Sequence, residues 1–160
     1  MLSLIETREA GPVLEAVTID VLEDEAFLFA DADTDAPAVV GQELQGALMS
    51  FSGPIDGVLG LALPAELAAE LTANILGLEP DDPEAAATAP DAFKEVLNVI
   101  CGQFLTNCYG SAPVFELSIP QTATTDAPEW VREWARSEQL HFLVDEEPVL
   151  AFICAKAVEK

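Results

Sequence analysis

The sequence predicts an α/β (α+β) fold in which antiparallel strands form one sheet and two or three helices cover a face of it. Three observations carry the prediction. Residues 43–52 and 57–63 read as two strands joined through Ser52-Gly-Pro-Ile-Asp56, a hairpin with a longer loop. Residues 64–76 and 90–107 repeat apolar side chains at helical spacing. Residues 139–144 and 149–156 form a closing antiparallel hairpin through Asp145-Glu-Glu-Pro148. A chain of 160 residues, 51% of them hydrophobic, suits one domain with a proper core, spanning 1–160.

Residues 1–11 show no clear period and end at Gly11-Pro12. From Pro12, placed in a first turn, Val13, Leu14, Val17, Ile19, Val21 and Leu22 suggest an amphipathic helix running into Phe27 and Phe29. Asp31-Ala-Asp33-Thr-Asp35 looks like the opening of a calcium loop, but Ala36 stands where the turn needs Gly and Gln42 where a bidentate Glu belongs. A solvated acidic linker is the better reading. In the second strand, Gly57 and Gly60 imply something packed closely against it. Pro64 opens the following helix, Gly77 stops it, and Leu78 supplies the apolar contact that often follows such a stop. Residues 79–90 are acidic and punctuated by proline, as a loop would be. Thr88 then caps the next helix, with Pro90 in its first turn and Asp91 at the capping-box position. Beyond it, 107–112 make a turn and 113–119 a strand that Pro120 ends. A polar link and a short helix at 129–137, with Trp130 and Trp134 on one side, follow.

The stretch Asp91-Ala-Phe-Lys-Glu95-Val-Leu-Asn98-Val-Ile-Cys-Gly102 organises the rest. At about 100° per residue, Phe93, Val96, Leu97, Ile100, Cys101, Phe104 and Cys108 form a core-facing stripe. Asp91, Glu95, Asn98 and Gly102 step by four, three and four along the opposite face. Val96, Ile100 and Phe104 should be buried while Glu95 and Asn98 stay accessible. An acid and an amide thus project together, and a glycine one turn on leaves a bare spot that another surface can approach. Spacing alone also fits a merely solvated outer face, since polar residues there are the default. Asp91 has a sufficient structural role as a cap.

Composition narrows the partners. With 29 acids against 6 bases the net charge is −23, which disfavours nucleic acid and anionic membranes and favours a basic patch on a partner; solubility alone accounts for it equally well. No stretch reads as a signal peptide or a membrane span, because the apolar region 58–78 is broken by Pro64, Glu66 and Glu70. Cys101, Cys108 and Cys154 are an odd set without paired spacing, which fits buried free thiols in a cytoplasmic protein. His141 reads as structural. No Ser-His-Asp elbow, glycine-rich phosphate loop or Cys-His metal cluster is present, so no metal site is expected.

Asp91-x3-Glu95-x2-Asn98, with Pro120 further on, resembles the signature of the CheC/CheX/FliY family of chemotaxis phosphatases. Met49-Ser-Phe-Ser-Gly53, the glycine-bearing second strand, the helix running into Gly77, and Gly102 after Asn98 are similar to the family's surroundings of that motif. The likeness covers residues 43–120 well and the two ends loosely. CheC-like members carry two copies of the motif. The asparagines here are Asn74, Asn98 and Asn107, leaving one copy, as in the CheX-like branch.

The resemblance implies a phosphatase for the phosphoaspartate of a CheY-like response regulator. It implies that Asn98 positions the attacking water and that Glu95 docks the receiver by pairing with its active-site Lys. Asp91, Gly102 and Pro120 would be supporting residues. No cofactor of the chain's own is expected, since the receiver brings Mg²⁺. It also implies a homodimer formed through sheet edges, for which the hairpin at 139–156 offers an edge. Two rivals stand beside it: a non-catalytic receiver-binding or flagellar-switch-like module, and an unrelated acidic scaffold.

Overall fold

The computed structural model describes residues 7–32, 44–79 and 81–157. The chain runs α1 (Thr7–Ala26), β1 (Asp31–Ala32), β2 (Gln45–Ser52), β3 (Ile55–Leu63), α2 (Ala65–Leu76), α3 (Pro83–Tyr109), β4 (Glu116–Leu117), β5 (Gln121–Thr124), α4 (Pro128–Ala135), β6 (Glu138–Val144) and β7 (Glu147–Ala157). The strands make one antiparallel sheet in the order β1-β6-β7-β3-β2, and β4 and β5 both pair with the outer edge of β2. The expected fold class is borne out.

Strand alternation divides the core into two layers. Ala47, Met49 and Phe51 of β2, Leu59, Leu61 and Leu63 of β3, and Val149, Ala151 and Ile153 of β7 face α1, α2 and α3. The opposite side of the pleat carries Leu48, Val58, Leu150 and Phe152, and α4 lays Trp130 and Trp134 on it. The two indoles stack with centroids 6.2 Å apart, and Trp130 meets Phe152 edge-on at 4.9 Å. Among the described residues, three helices thus cover one face and a fourth covers the other. Both strand glycines explain themselves. A Cβ at Gly57 would overlap the Phe51 ring and stand 2.6 Å from the Cys154 carbonyl oxygen, and one at Gly60 would stand 2.5 Å from the Phe152 ring.

Several boundaries differ from the expectation. Pro12 lies inside α1 rather than in its first turn. Ala10 is fully buried, so packing holds an upstream turn that proline punctuation does not reveal. The acidic linker reading at 33–43, with Ala36 and Gln42, lies outside the described residues, while Asp31 and Ala32 pair with Leu143 and Phe142. The largest correction concerns residues 79–90. They are not a loop up to a cap at Thr88: α3 begins at Pro83, and the Asp82 carboxylate accepts from the Glu84 amide at 2.9 Å. Pro83 sits at the first helical position, and Ala85, Ala86 and Ala87 are strong helix formers. Pro90 is therefore internal to α3, and Asp91 is not a capping residue.

Downstream of α3, the expected strand 113–119 shrinks to β4, and the expected polar link yields β5. Leu117 lies opposite Phe51, and Gln121 lies opposite Leu48. Three steps on β2 are thus matched by four on the outer strand, so residues 118–120 form a one-residue bulge. Pro120 did not end a strand; it occupies a bulge, where its missing N–H costs no ladder bond. The bulge is pinned to β2, with the Ser118 amide donating to the Ser50 carbonyl at 2.9 Å and the Ser50 amide donating to Ser118 Oγ at 2.8 Å.

The closing hairpin is as expected but tighter. Val144 pairs with Glu147, leaving Asp145 and Glu146 as a two-residue turn with φ of 51° and 68°, the primed geometry that matches strand twist. Its place in the sheet narrows the edge it offers. β7 is interior, paired to β3 from Ile55↔Ala157 to Ala62↔Leu150, so the hairpin's edge is the outer side of β6, where Asp31 and Ala32 pair with Leu143 and Phe142. Among the described residues no helix is long and apolar enough to cross a membrane.

Candidate functional site

α3 divides as its spacing predicted. Phe93, Val96, Leu97, Ile100, Cys101, Phe104 and Cys108 are all buried, with Leu97, Cys101 and Phe104 fully so. Phe104 packs on Phe51 of β2 with ring centroids 6.3 Å apart, which locks the helix's rotation about its axis. Asp91, Glu95 and Asn98 are exposed on the other side.

These three converge with Pro120 on one groove of about 340 Å³. Its helix wall is Asp91, Lys94, Glu95 and Asn98; its other wall is the bulged strand, Leu117, Ser118, Ile119 and Pro120. The bulge pushes Ile119 outward, leaving it 82% exposed. On a helix, neighbours three and four apart stand about 5–6 Å from each other at Cβ, so Glu95 and Asn98 can address one small group together. Among the described residues, no hydrogen bond or ion pair engages the side chains of Asp91, Glu95 or Asn98. Unpaired acceptors and an amide in an open groove are free to engage a partner.

Gly102 follows on the same face but does not line the groove. A Cβ there would meet nothing within 4 Å, so among the described residues no packing demands glycine. Gly102→Ala is accordingly expected to stabilise the fold by about 0.5–1 kcal/mol through helix propensity, raising Tm by roughly 1–4 °C in a thermal melt. A lowered Tm would show an internal role for the bare backbone.

The residues beneath the groove are chemically quiet. Burial pushes the Cys101 thiol up to about 12 and the Cys108 thiol up to about 11, so neither supplies a thiolate near neutral pH. Tyr109 is pushed up to about 12, first by burial and then by Cys108. All three cysteines are free and buried, as their spacing suggested. His141 lies on β6, its ring edge-on to Trp134 at 5.6 Å, and takes no part in the groove. A second groove of about 310 Å³ lies where α3 passes β2 and β5, lined by Pro90, Phe93, Gln45 and Thr122 among others, with no titratable side chain among the described residues.

Sequence reasoning missed four members of the site. Lys94 was legible in principle, being three residues from Asp91 and four from Asn98. Leu117, Ser118 and Ile119 were not, because their place depends on the bulge and on pairing with a strand more than sixty residues upstream.

The family model described as chemotaxis phosphatase CheX matches residues 45–143, more than half of the chain. Solved structures share the fold. The chemotaxis protein CheX of Vibrio vulnificus is 17% identical with a TM-score of 0.72, covering 92% of this chain and 99% of that one. CheX of Desulfovibrio desulfuricans is 17% identical with a TM-score of 0.68 and the same coverage. The matching chain of a CheX-CheY-BeF3-Mg²⁺ complex from Borrelia burgdorferi is 17% identical with a TM-score of 0.65, covering 91% and 96%. No curated protein matches the sequence.

Proposed function

We propose that this chain, which belongs to the chemotaxis phosphatase CheX family, hydrolyses the phosphoaspartate of a CheY-like receiver domain at the groove between α3 and the bulged strand. The observation that carries the proposal is the convergence of Glu95 and Asn98, exposed and unpaired, with Pro120 on one groove.

The receiver supplies Mg²⁺ and a lysine of its own, so this chain needs neither metal nor nucleophile. Its task is to set a water in line with the acyl phosphate. The Asn98 amide can do so without changing charge, its oxygen accepting from the water while its N–H donates toward the phosphoryl oxygens. The water oxygen bonds to phosphorus, the bond from phosphorus to the aspartyl oxygen breaks, and both protons of the water leave on the phosphate. Glu95, one turn earlier, pairs with the receiver's lysine and fixes the docking. Asp91 supports that pairing through its negative charge, Gly102 lets the receiver's surface come close to the helix backbone, and Pro120 shapes the opposite wall. A gain of about 100-fold over self-hydrolysis asks for only about 2.7 kcal/mol, within reach of two positioned side chains.

The decisive experiment charges the CheY-like receivers of the same genome with acetyl phosphate and follows decay with and without this protein. Acceleration supports the phosphatase; binding without acceleration supports the silent docking module. Glu95→Ala is expected to weaken receiver binding first, by about tenfold, and to leave a residual rate at saturating protein with a shallower salt dependence. A Glu95→Ala variant with unchanged affinity would remove the docking role.

A further inference from the structure

We propose that Lys94 reads the charge of the phosphoryl group, so that the groove favours a phosphorylated receiver over an unphosphorylated one. The inference rests on the phosphatase reading above and concerns a residue outside the Asp-Glu-Asn motif.

Among the described residues Lys94 is the one cation lining the groove, in a chain that carries 6 Lys and Arg against 29 acids. Arg132 and Arg136 are both committed to Glu133 on α4, at 3.8 and 3.7 Å. Lys94 is three residues from Asp91 and next to Glu95, yet among the described residues no ion pair holds it. It is half-buried and lines the groove, and a lysine's long apolar stem lets its ammonium reach beyond its own backbone position.

Charge dictates what that ammonium is for. A phosphoryl group carries about −1.5 to −2, and it approaches a molecule of net charge −23 through a groove that already holds Asp91 and Glu95. The receiver's own Mg²⁺ offsets part of the phosphoryl charge, but the field of Asp91, Glu95 and the net charge of this chain still opposes the approach unless a cation on the groove wall counters it. Docking adds to the deficit: Glu95 takes up the receiver's lysine, drawing that charge away from the phosphoryl oxygens. Lys94, four residues before Asn98, lies one turn from the amide that positions the water. Its point charge can replace the one Glu95 withdraws. The pair Lys94–Glu95 therefore exchanges cations at the phosphoryl group.

The test measures affinity for a CheY-like receiver in two forms, Mg²⁺ alone and Mg²⁺ with beryllofluoride as a stable phosphoryl mimic. Wild type, Lys94→Met and Lys94→Arg are compared, each checked for an unchanged melt; Lys94→Gln replaces the Met variant if that one misfolds. Lys94→Met is expected to lose about tenfold of the preference for the beryllofluoride form while binding the Mg²⁺ form as wild type does. Lys94→Arg is expected to restore most of it. Equal weakening of both forms would make Lys94 a general docking charge, and no change would make it a solvated lysine; either result overturns the inference. Wild type that neither binds nor accelerates hydrolysis would overturn the phosphatase reading itself, whereas active wild type with an unaltered Lys94→Met preference overturns this inference alone.

Discussion

Asn98→Ala is expected to keep the fold and receiver docking and to lose nearly all acceleration of phosphoaspartate hydrolysis, a fall of about 100-fold toward the self-hydrolysis rate. The fold survives because the Asn98 side chain is exposed and bonded to nothing among the described residues. Alanine is also the better helix former, by about 0.5 kcal/mol. Docking survives because Glu95 remains. The rate falls because, among the described residues, no other side-chain amide lines the groove. Three measurements on one preparation decide it: a thermal melt, receiver affinity and the decay of phosphorylated receiver. Equal activity in wild type and variant would mean that the groove is not the active site. Joint loss of fold and activity would assign Asn98 a structural role instead.

Phe104→Ala is expected to cost about 3–5 kcal/mol, a large share of the roughly 5–15 kcal/mol that holds a domain of this kind together. Phe104 has no exposed surface and meets Phe51, which in turn meets Phe115 at 6.1 Å, so the cavity would open between α3 and β2. Neighbours on a regular helix and strand cannot easily collapse into it. Tm should drop by roughly 10 °C, read by circular dichroism or calorimetry. Phe104→Leu, which keeps most of the volume, should cost less than half as much. A loss under about 1 kcal/mol for Phe104→Ala would show that the helix is held elsewhere.

The face of α3 was legible because helical period is a local property. Once Val96, Ile100 and Phe104 are read as one stripe, the position of Glu95 and Asn98 opposite follows from 3.6 residues per turn. The hairpin β2–β3, the stop at Gly77 and the two tryptophans on one side of α4 were legible for the same reason. Gly77 does close α2, in the left-handed region at φ 71°, with the Leu78 amide donating to the Ala73 carbonyl at 2.9 Å. What failed was proline. Pro12 and Pro90 each read as a helix start, and each lies inside a helix. The same missing N–H is compatible with both, and only burial of Ala10, Ala85 and Ala89 decides between them. Long-range pairing was also hidden. That β7 lies beside β3, that β5 returns to β2, and that the slip between them makes a bulge depend on contacts that no window of sequence contains.

The bulge at 118–120 has a consequence for how the sheet behaves in a crowded solution. On that side the outer edge of β2 is capped by two short pieces whose ladder is broken by one extra residue, and Pro120 offers no amide. A further strand added there would find no continuous row of donors and acceptors. On the other side, the outer edge of β6 meets only Asp31 and Ala32 among the described residues, opposite Leu143 and Phe142. Among the described residues the sheet therefore ends in one regular edge and one interrupted edge. Stacking edge to edge into a fibre would use both, so the geometry that opens the groove beside Asn98 also works against such growth.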